Sequence, residues 1–344
     1  MLAQHGDYNA RNLDTGIAHA HSWPLFAAGS RMSAVEGWSG RVDLPVEAST
    51  LRWHQWVRAA EGATAPGVAV LGFACDEGVR RNHGRVGAAE GPAALRRMLS
   101  NLPVLNAAPL FDAGTITCAD GELEAAQARY ADAMAALLDA GHFAVGLGGG
   151  HEIAFASYQG LAKHLGARRP RVAIVNIDAH FDLRKQDQAS SGTPFLQAIE
   201  HARALGLPLD YLVYGISAAA NTRVLFDTAN QLGVHHVRDD QLGLLELPQR
   251  IAELREKLAN VDLIYLTIDI DGLPHAMAPG VSAPAARGVP MEVVEPLLDA
   301  IAATGKLKLM DVAELSPPLD RDNVTARVAA RLIHRVADAV VRAG

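Results

Sequence analysis

The chain has 344 residues, with Lys+Arg 31 against Asp+Glu 38, a formal charge of −7, and 49% hydrophobic residues. This apolar content supports a sizeable core and excludes a disordered chain, while two cysteines, Cys75 and Cys118, exclude a disulfide-stapled miniprotein or a thiolate cluster. The acidic balance argues against nucleic-acid binding. No uncharged apolar run reaches the roughly 18 residues of a membrane helix, and MLAQHGDYNARNLDTG lacks a signal-peptide layout, so a soluble cytoplasmic protein with neither membrane nor nucleic acid as partner is expected.

Residues 1–65 are irregular in pattern and carry all four tryptophans, Trp23, Trp38, Trp53 and Trp56. They read as an N-terminal extension packed on a main domain that spans 66–344. Short apolar runs without alternation then follow at 67–73, 142–147, 171–177, 211–216, 263–270 and 307–312. That is how strands buried on both faces read. Gly91-Pro92 opens a helix. A second helix is predicted over 123–139, where apolar residues recur at three- and four-residue steps and Gly141 follows as a stop. Strands alternating with helices predict a single three-layer α/β domain with a mostly parallel sheet flanked by helices.

Three of these strands run into polar clusters: Gly148-Gly149-Gly150-His151-Glu152, Asp178-Ala179-His180-Phe181-Asp182, and Asp269-Ile270-Asp271. Ligands of open parallel sheets bind outside the carboxyl ends of the strands, and i, i+2 spacing puts side chains on one side of an extended backbone. His151, Asp178, His180, Asp182, Asp269 and Asp271 can therefore converge. Four carboxylates in one crevice repel unless cations neutralise them, and two divalent ions balance four charges. An oxygen-rich donor set with some imidazole and no thiolate suits Mn²⁺. Two ions roughly 3.5 Å apart can lower the pKa of a shared water until it is hydroxide at neutral pH, which predicts a hydrolase. The run GLGGG fails the G-x-G-x-x-G dinucleotide pattern because of His151, no phosphate loop is present, and no serine sits in G-x-S-x-G.

These segments resemble the ureohydrolase family of arginases, agmatinases and formimidoylglutamases. Its signatures stand here as Gly148–Glu152, Asp178–Asp182, Thr267-Ile268-Asp269-Ile270-Asp271 and Asp311-Val312-Ala313-Glu314-Leu315-Ser316-Pro317. The resemblance covers about 67–335 and implies an arginase-like fold and a homo-oligomer. It implies two Mn²⁺ per chain, one held by His151, Asp178, Asp182 and Asp269 and the other by His180, Asp178, Asp269 and Asp271. It also places Glu314 on the amidine or guanidine of the substrate. Gly150 and Glu152 beside His151, the loop Ser190–Phe195, and the segment Gly78–Arg85 look like the formimidoylglutamase branch. On that reading Arg80, Arg81, Asn82, Arg184, Ser191 and Thr193 bind substrate, with Arg85 a further arginine of the group. Arginines at the crevice mouth suit a dianionic amidine. The expected reaction is hydrolysis of N-formimidoyl-L-glutamate to L-glutamate and formamide, a step of histidine degradation. In it a metal-bridging hydroxide attacks the amidine carbon, and Asp182 carries the proton to the leaving nitrogen. The alternatives are a related enzyme acting on a guanidino acid, such as a guanidinobutyrase or agmatinase, and a catalytically silent relative.

Overall fold

The computed structural model describes residues 35–343; Trp23 and the first half of the extension lie outside them. Nine strands form one sheet: β1 (Val57–Ala59), β2 (Val68–Ala74), β3 (Leu110–Thr117), β4 (Phe143–Leu147), β5 (Val172–Ile177), β6 (Leu209–Ile216), β7 (His235–Arg238), β8 (Leu263–Asp269) and β9 (Leu307–Ala313). The spatial order is β1-β3-β2-β4-β9-β8-β5-β6-β7, and every pairing is parallel. The central strands β4, β5 and β8 are buried at every residue, which explains their unbroken apolar sequences. The six strands expected from those runs all form. β1, β3 and β7 come in addition.

Helices cover both faces. One layer holds the helices Gly91–Leu99, Leu247–Ala259, Met291–Ala302 and Val324–Ala343, packed on the sheet around Leu95, Leu254, Leu297 and Ile333. The other holds Leu123–Asp139, Ile153–Leu165, Pro194–Leu205 and Arg223–Leu232, around Tyr130, Tyr158, Phe195 and Ala229. Helix Leu123–Asp139 has the predicted bounds, and Gly141 follows it in the left-handed region at φ 81. Trp38, Trp53 and Trp56 are buried in the first layer. Trp38 Nε1 donates to Asp112 at 2.5 Å, and Asp112 also takes two bonds from buried Arg96. Val57–Ala59, next to these tryptophans in sequence, is the edge strand β1, paired with β3.

Candidate metal centre and substrate cavity

The exits of β4, β5, β8 and β9 meet at one point of the carboxyl edge. After β4 the chain must pass against the end of β2: a Cβ on Gly149 would lie 1.8 Å from the Cys75 carbonyl oxygen, so only glycine fits. Hydrogen bonds fasten this turn, from the Gly150 N–H to Cys75 O (2.9 Å) and from the Glu314 N–H to Gly149 O (2.8 Å). Asp182 and Glu314 both sit in the left-handed region, at φ 49 and 67. Such conformations persist where surrounding structure imposes them, and they concentrate at functional sites.

Six side chains converge there in two groups. His151, Asp178, Asp182 and Asp269 each present one donor atom, all within 4.8 Å of one another, and Asp178, His180 and Asp271 do likewise. Asp178 is common to both. His151 Nδ1 faces Asp182 Oδ2 at 3.0 Å, Asp269 Oδ2 at 3.1 Å and Asp178 Oδ2 at 3.3 Å. Yet among the described residues Nδ1 is buried without a hydrogen-bond partner, as is Asp271 Oδ1. The other ring nitrogen, Nε2, lies 3.0 Å from Thr267 Oγ1. An Nε2–H donating to that hydroxyl leaves the Nδ1 lone pair pointing among three carboxylate oxygens, where a cation would take it. The donor set of oxygens and imidazoles therefore fits divalent ions.

The charges agree. Burial raises the pKa of Asp269, and neighbouring Asp271 and Asp178 raise it further. Burial and Asp178 raise Asp182. Burial pushes Asp271 up to about 6, with His180 acting against it. Burial opposes a charge on His151 and His180, but the surrounding carboxylates hold both imidazoles well above their ordinary range. A centre that gathers protons this strongly is one whose negative charge calls for cations.

Above the centre opens a cavity of about 560 Å³. Asp182, Asp269, Asp271 and Glu314 line it together with Arg85 and Arg184. Glu314 is 5% exposed, and its Oε1 accepts the His151 backbone N–H at 2.8 Å.

The arginase family model matches residues 66–338. The chain belongs to the arginase family. A formimidoylglutamase from Ralstonia nicotianae is 55% identical over 312 residues, covering 89% of this chain and 96% of that one. Among solved structures, a variant of the Trypanosoma cruzi formiminoglutamase with Mn²⁺ superposes with a TM-score of 0.71 at 25% identity, over 81% of this chain and 95% of that one. The Bacillus subtilis formimidoylglutamase shares the fold, with a TM-score of 0.75 at 21% identity over 90% and 96% of the two chains.

The cavity of this arginase-family chain takes in only some of the residues expected to bind substrate. Asn82, Arg184 and Ser191 line it, with the Asn82 amide donating to Ser191 Oγ at 3.2 Å. Arg80 and Arg81 do not. Glu77 precedes them by three and four residues on a short helix and takes both guanidinium groups, while Arg81 also reaches Glu124 and the carbonyls of Ala189 and Gly121. Thr193 is buried below the rim, bonded to Ser190 and Gln197 at the start of helix Pro194–Leu205. Sequence reasoning missed His83, Gln186, Asn221 and Ser282, which also line the cavity. Asn221 accepts the Phe181 N–H and donates to the Ala179 and Ser217 carbonyls, holding the loop of the second signature in place. Nothing in the local sequence around Asn221 marks it. Thr267 could have been found, since the third signature contains it.

Proposed function

We propose that this protein hydrolyses N-formimidoyl-L-glutamate to L-glutamate and formamide with two Mn²⁺ per chain, as a cytoplasmic homo-oligomer serving histidine degradation. The observation that carries this reading is the charge gradient of the cavity. Its floor is carboxylate, formed by Asp182, Asp269, Asp271 and Glu314, whereas its mouth holds Arg85 and Arg184. Among the described residues, the Arg85 guanidinium donates only to the carbonyls of Val281 and Ser282. The Arg184 guanidinium makes no ion pair with any described residue. Two arginines without carboxylate partners suit a substrate with an amidine at one end and carboxylates at the other.

The residues then divide the work. His151, Asp178, Asp182 and Asp269 would hold one ion, and His180, Asp178, Asp269 and Asp271 the other. When bound, such a pair of ions supplies Lewis acidity toward the amidine and an activated water. Glu314, fixed by the His151 N–H, accepts the N–H groups of the planar amidinium and sets its carbon over the centre. Arg184 and Arg85 anchor the carboxylates, so the amidine can enter in one orientation. Asp182 passes a proton to the departing glutamate nitrogen as the C–N bond breaks.

The test is glutamate release by manganese-loaded protein from N-formimidoyl-L-glutamate, with arginine, agmatine and guanidinobutyrate in parallel. Turnover of the first alone is expected. Turnover of a guanidino compound instead would keep the metal chemistry and overturn the assignment of the arginines. Two tightly held ions with no turnover of any of the four would favour a silent relative.

A further inference from the structure

Glu152 has no part in the metal groups or the cavity, yet it is 1% exposed and carries a carboxylate. Its Oε1 accepts the backbone N–H of Gly78 at 2.9 Å. Its Oε2 is buried with no hydrogen-bond partner among the described residues. The carboxylate is wedged between two backbone segments that have no side chain to yield. A Cβ on Gly78 would come within 2.5 Å of Glu152 Cδ and Oε2, and one on Gly150 within 2.2 Å of Oε2. From the far side, Gln127 Nε2 donates to the Glu152 carbonyl at 2.9 Å and ties this residue to helix Leu123–Asp139.

The wedge joins two functional parts. Behind Glu152 is the turn that places His151. Ahead of it is the short helix Glu77–Arg81, and the four residues that follow, Asn82 to Arg85, all line the cavity mouth. That mouth segment closes back on the same helix, through Asn82 N–H to Gly78 O (3.0 Å) and Gly84 N–H to Val79 O (2.8 Å). Its helix end is therefore held where Gly78 meets Glu152, and its far end where the Arg85 N–H donates to Ser282 Oγ at 2.7 Å.

We infer that Glu152 is a positioning residue for substrate recognition: its buried carboxylate, bonded to the Gly78 N–H, sets the distance between the Asn82–Arg85 rim and the metal centre. This inference rests on the proposed reaction. Because the rim grips the anionic end of the substrate, its displacement weakens binding of that end and leaves the chemistry at the floor in place.

The experiment compares wild type with Glu152→Ala, Glu152→Gln and Gly78→Ala, the last pressing on the same contact from the other side. Glu152→Ala and Gly78→Ala are expected to raise KM for N-formimidoyl-L-glutamate about tenfold, with kcat within twofold and two manganese per chain retained. Glu152→Gln keeps an acceptor for the Gly78 N–H and restores KM to within threefold of wild type. In an Asn82→Ala/Arg85→Ala background, Glu152→Ala adds less than twofold, because the groups it positions are gone. Hydrogen exchange gives a readout independent of turnover: amides 78–84 exchange at least tenfold faster in Glu152→Ala, while amides 148–151 keep their protection. Loss of manganese together with kcat, a KM effect that persists in the double background, or unchanged exchange at 78–84 would each overturn the inference. Absence of N-formimidoyl-L-glutamate turnover by the wild type overturns the proposed reaction instead, and the exchange measurement still decides the role of Glu152.

Discussion

The backbone N–H of His151 donates to Glu314 Oε1 at 2.8 Å, so the residue whose side chain belongs to one metal group also fixes the Glu314 carboxylate through its main chain. The two come from different strands, β4 and β9, which are neighbours in the sheet. Any movement of the His151 turn therefore moves Glu314 with it. Glu314→Gln keeps an acceptor for that N–H but removes the charge that pairs with an amidinium. It is expected to retain both ions by elemental analysis and to lose about a hundredfold or more in kcat/KM, the scale of one charge-assisted contact in a dry site. Unchanged turnover would remove Glu314 from the reaction.

Asp178 has a donor in both metal groups and is fully buried. Asp178→Ala is expected to leave less than one manganese per chain and no measurable turnover. Asp271→Ala removes a donor from one group only, and is expected to leave about one ion per chain. Equal metal content in the two variants would show that Asp178 does not bridge.

Arg184→Ala should raise KM for N-formimidoyl-L-glutamate about tenfold at unchanged metal content, by loss of an anchoring cation. Arg80, 64% exposed and paired with Glu77, is the contrasting case, and Arg80→Ala should leave KM and kcat within twofold of wild type. Steady-state kinetics on the two variants separates an arginine of the cavity from one of the surface.

The acidic centre also makes a pH prediction for metal-free protein. Burial holds Glu152 at about 7 against an ordinary 4.5, and Asp271 at about 6 against 3.8. An acid whose folded pKa is raised contributes stability that is complete below its unfolded pKa and vanishes as pH rises through the folded value. His151 and His180, also raised, act in the same direction. Asp178, held low by the two histidines despite its burial, acts oppositely, below pH 4. The melting temperature of chelator-treated protein should therefore fall from pH 5 to pH 7, and saturating manganese should reduce the fall to the part that Glu152, outside both metal groups, contributes. Calorimetry across that range checks it, and a metal-free melting temperature that rises with pH would contradict it.

Away from the site, Arg96 and Asp112 are each 5% exposed, and Asp112 accepts from Arg96 and from Trp38. Asp112→Ala leaves a buried guanidinium without its carboxylate and should cost about 3–5 kcal/mol in denaturant unfolding. Manganese content of the folded protein should be unchanged.

Much of this architecture was legible because the central strands are buried on both faces and so cannot be polar. β3, with the sequence LFDAGTIT, and β7, with HHVR, lie towards the sheet margins and are partly exposed. Their polar residues broke the pattern that marked the rest. The ligand-type residues were legible because each group follows a strand directly. The rim was less so: EGVRR contains acid-to-arginine spacings of three and four, the spacing of helical ion pairs, and those local pairs took Arg80 and Arg81 away from the cavity. His83 and Asn221 reach the site through loop paths that composition does not record.

The strand order has a consequence for how the protein comes into being. β4 and β5 follow one another along the chain but are separated in the sheet by β9 and β8, the last two strands to be made. A ribosome that has released residues up to about 260 has produced His151, Asp178, His180 and Asp182 but nothing to fill the gap between the strands that carry them. The metal centre is thus completed only by the final quarter of the chain, through contacts of long sequence separation that form late and slowly. A chain truncated before β8 would lack Asp269 and Asp271, one donor from each metal group.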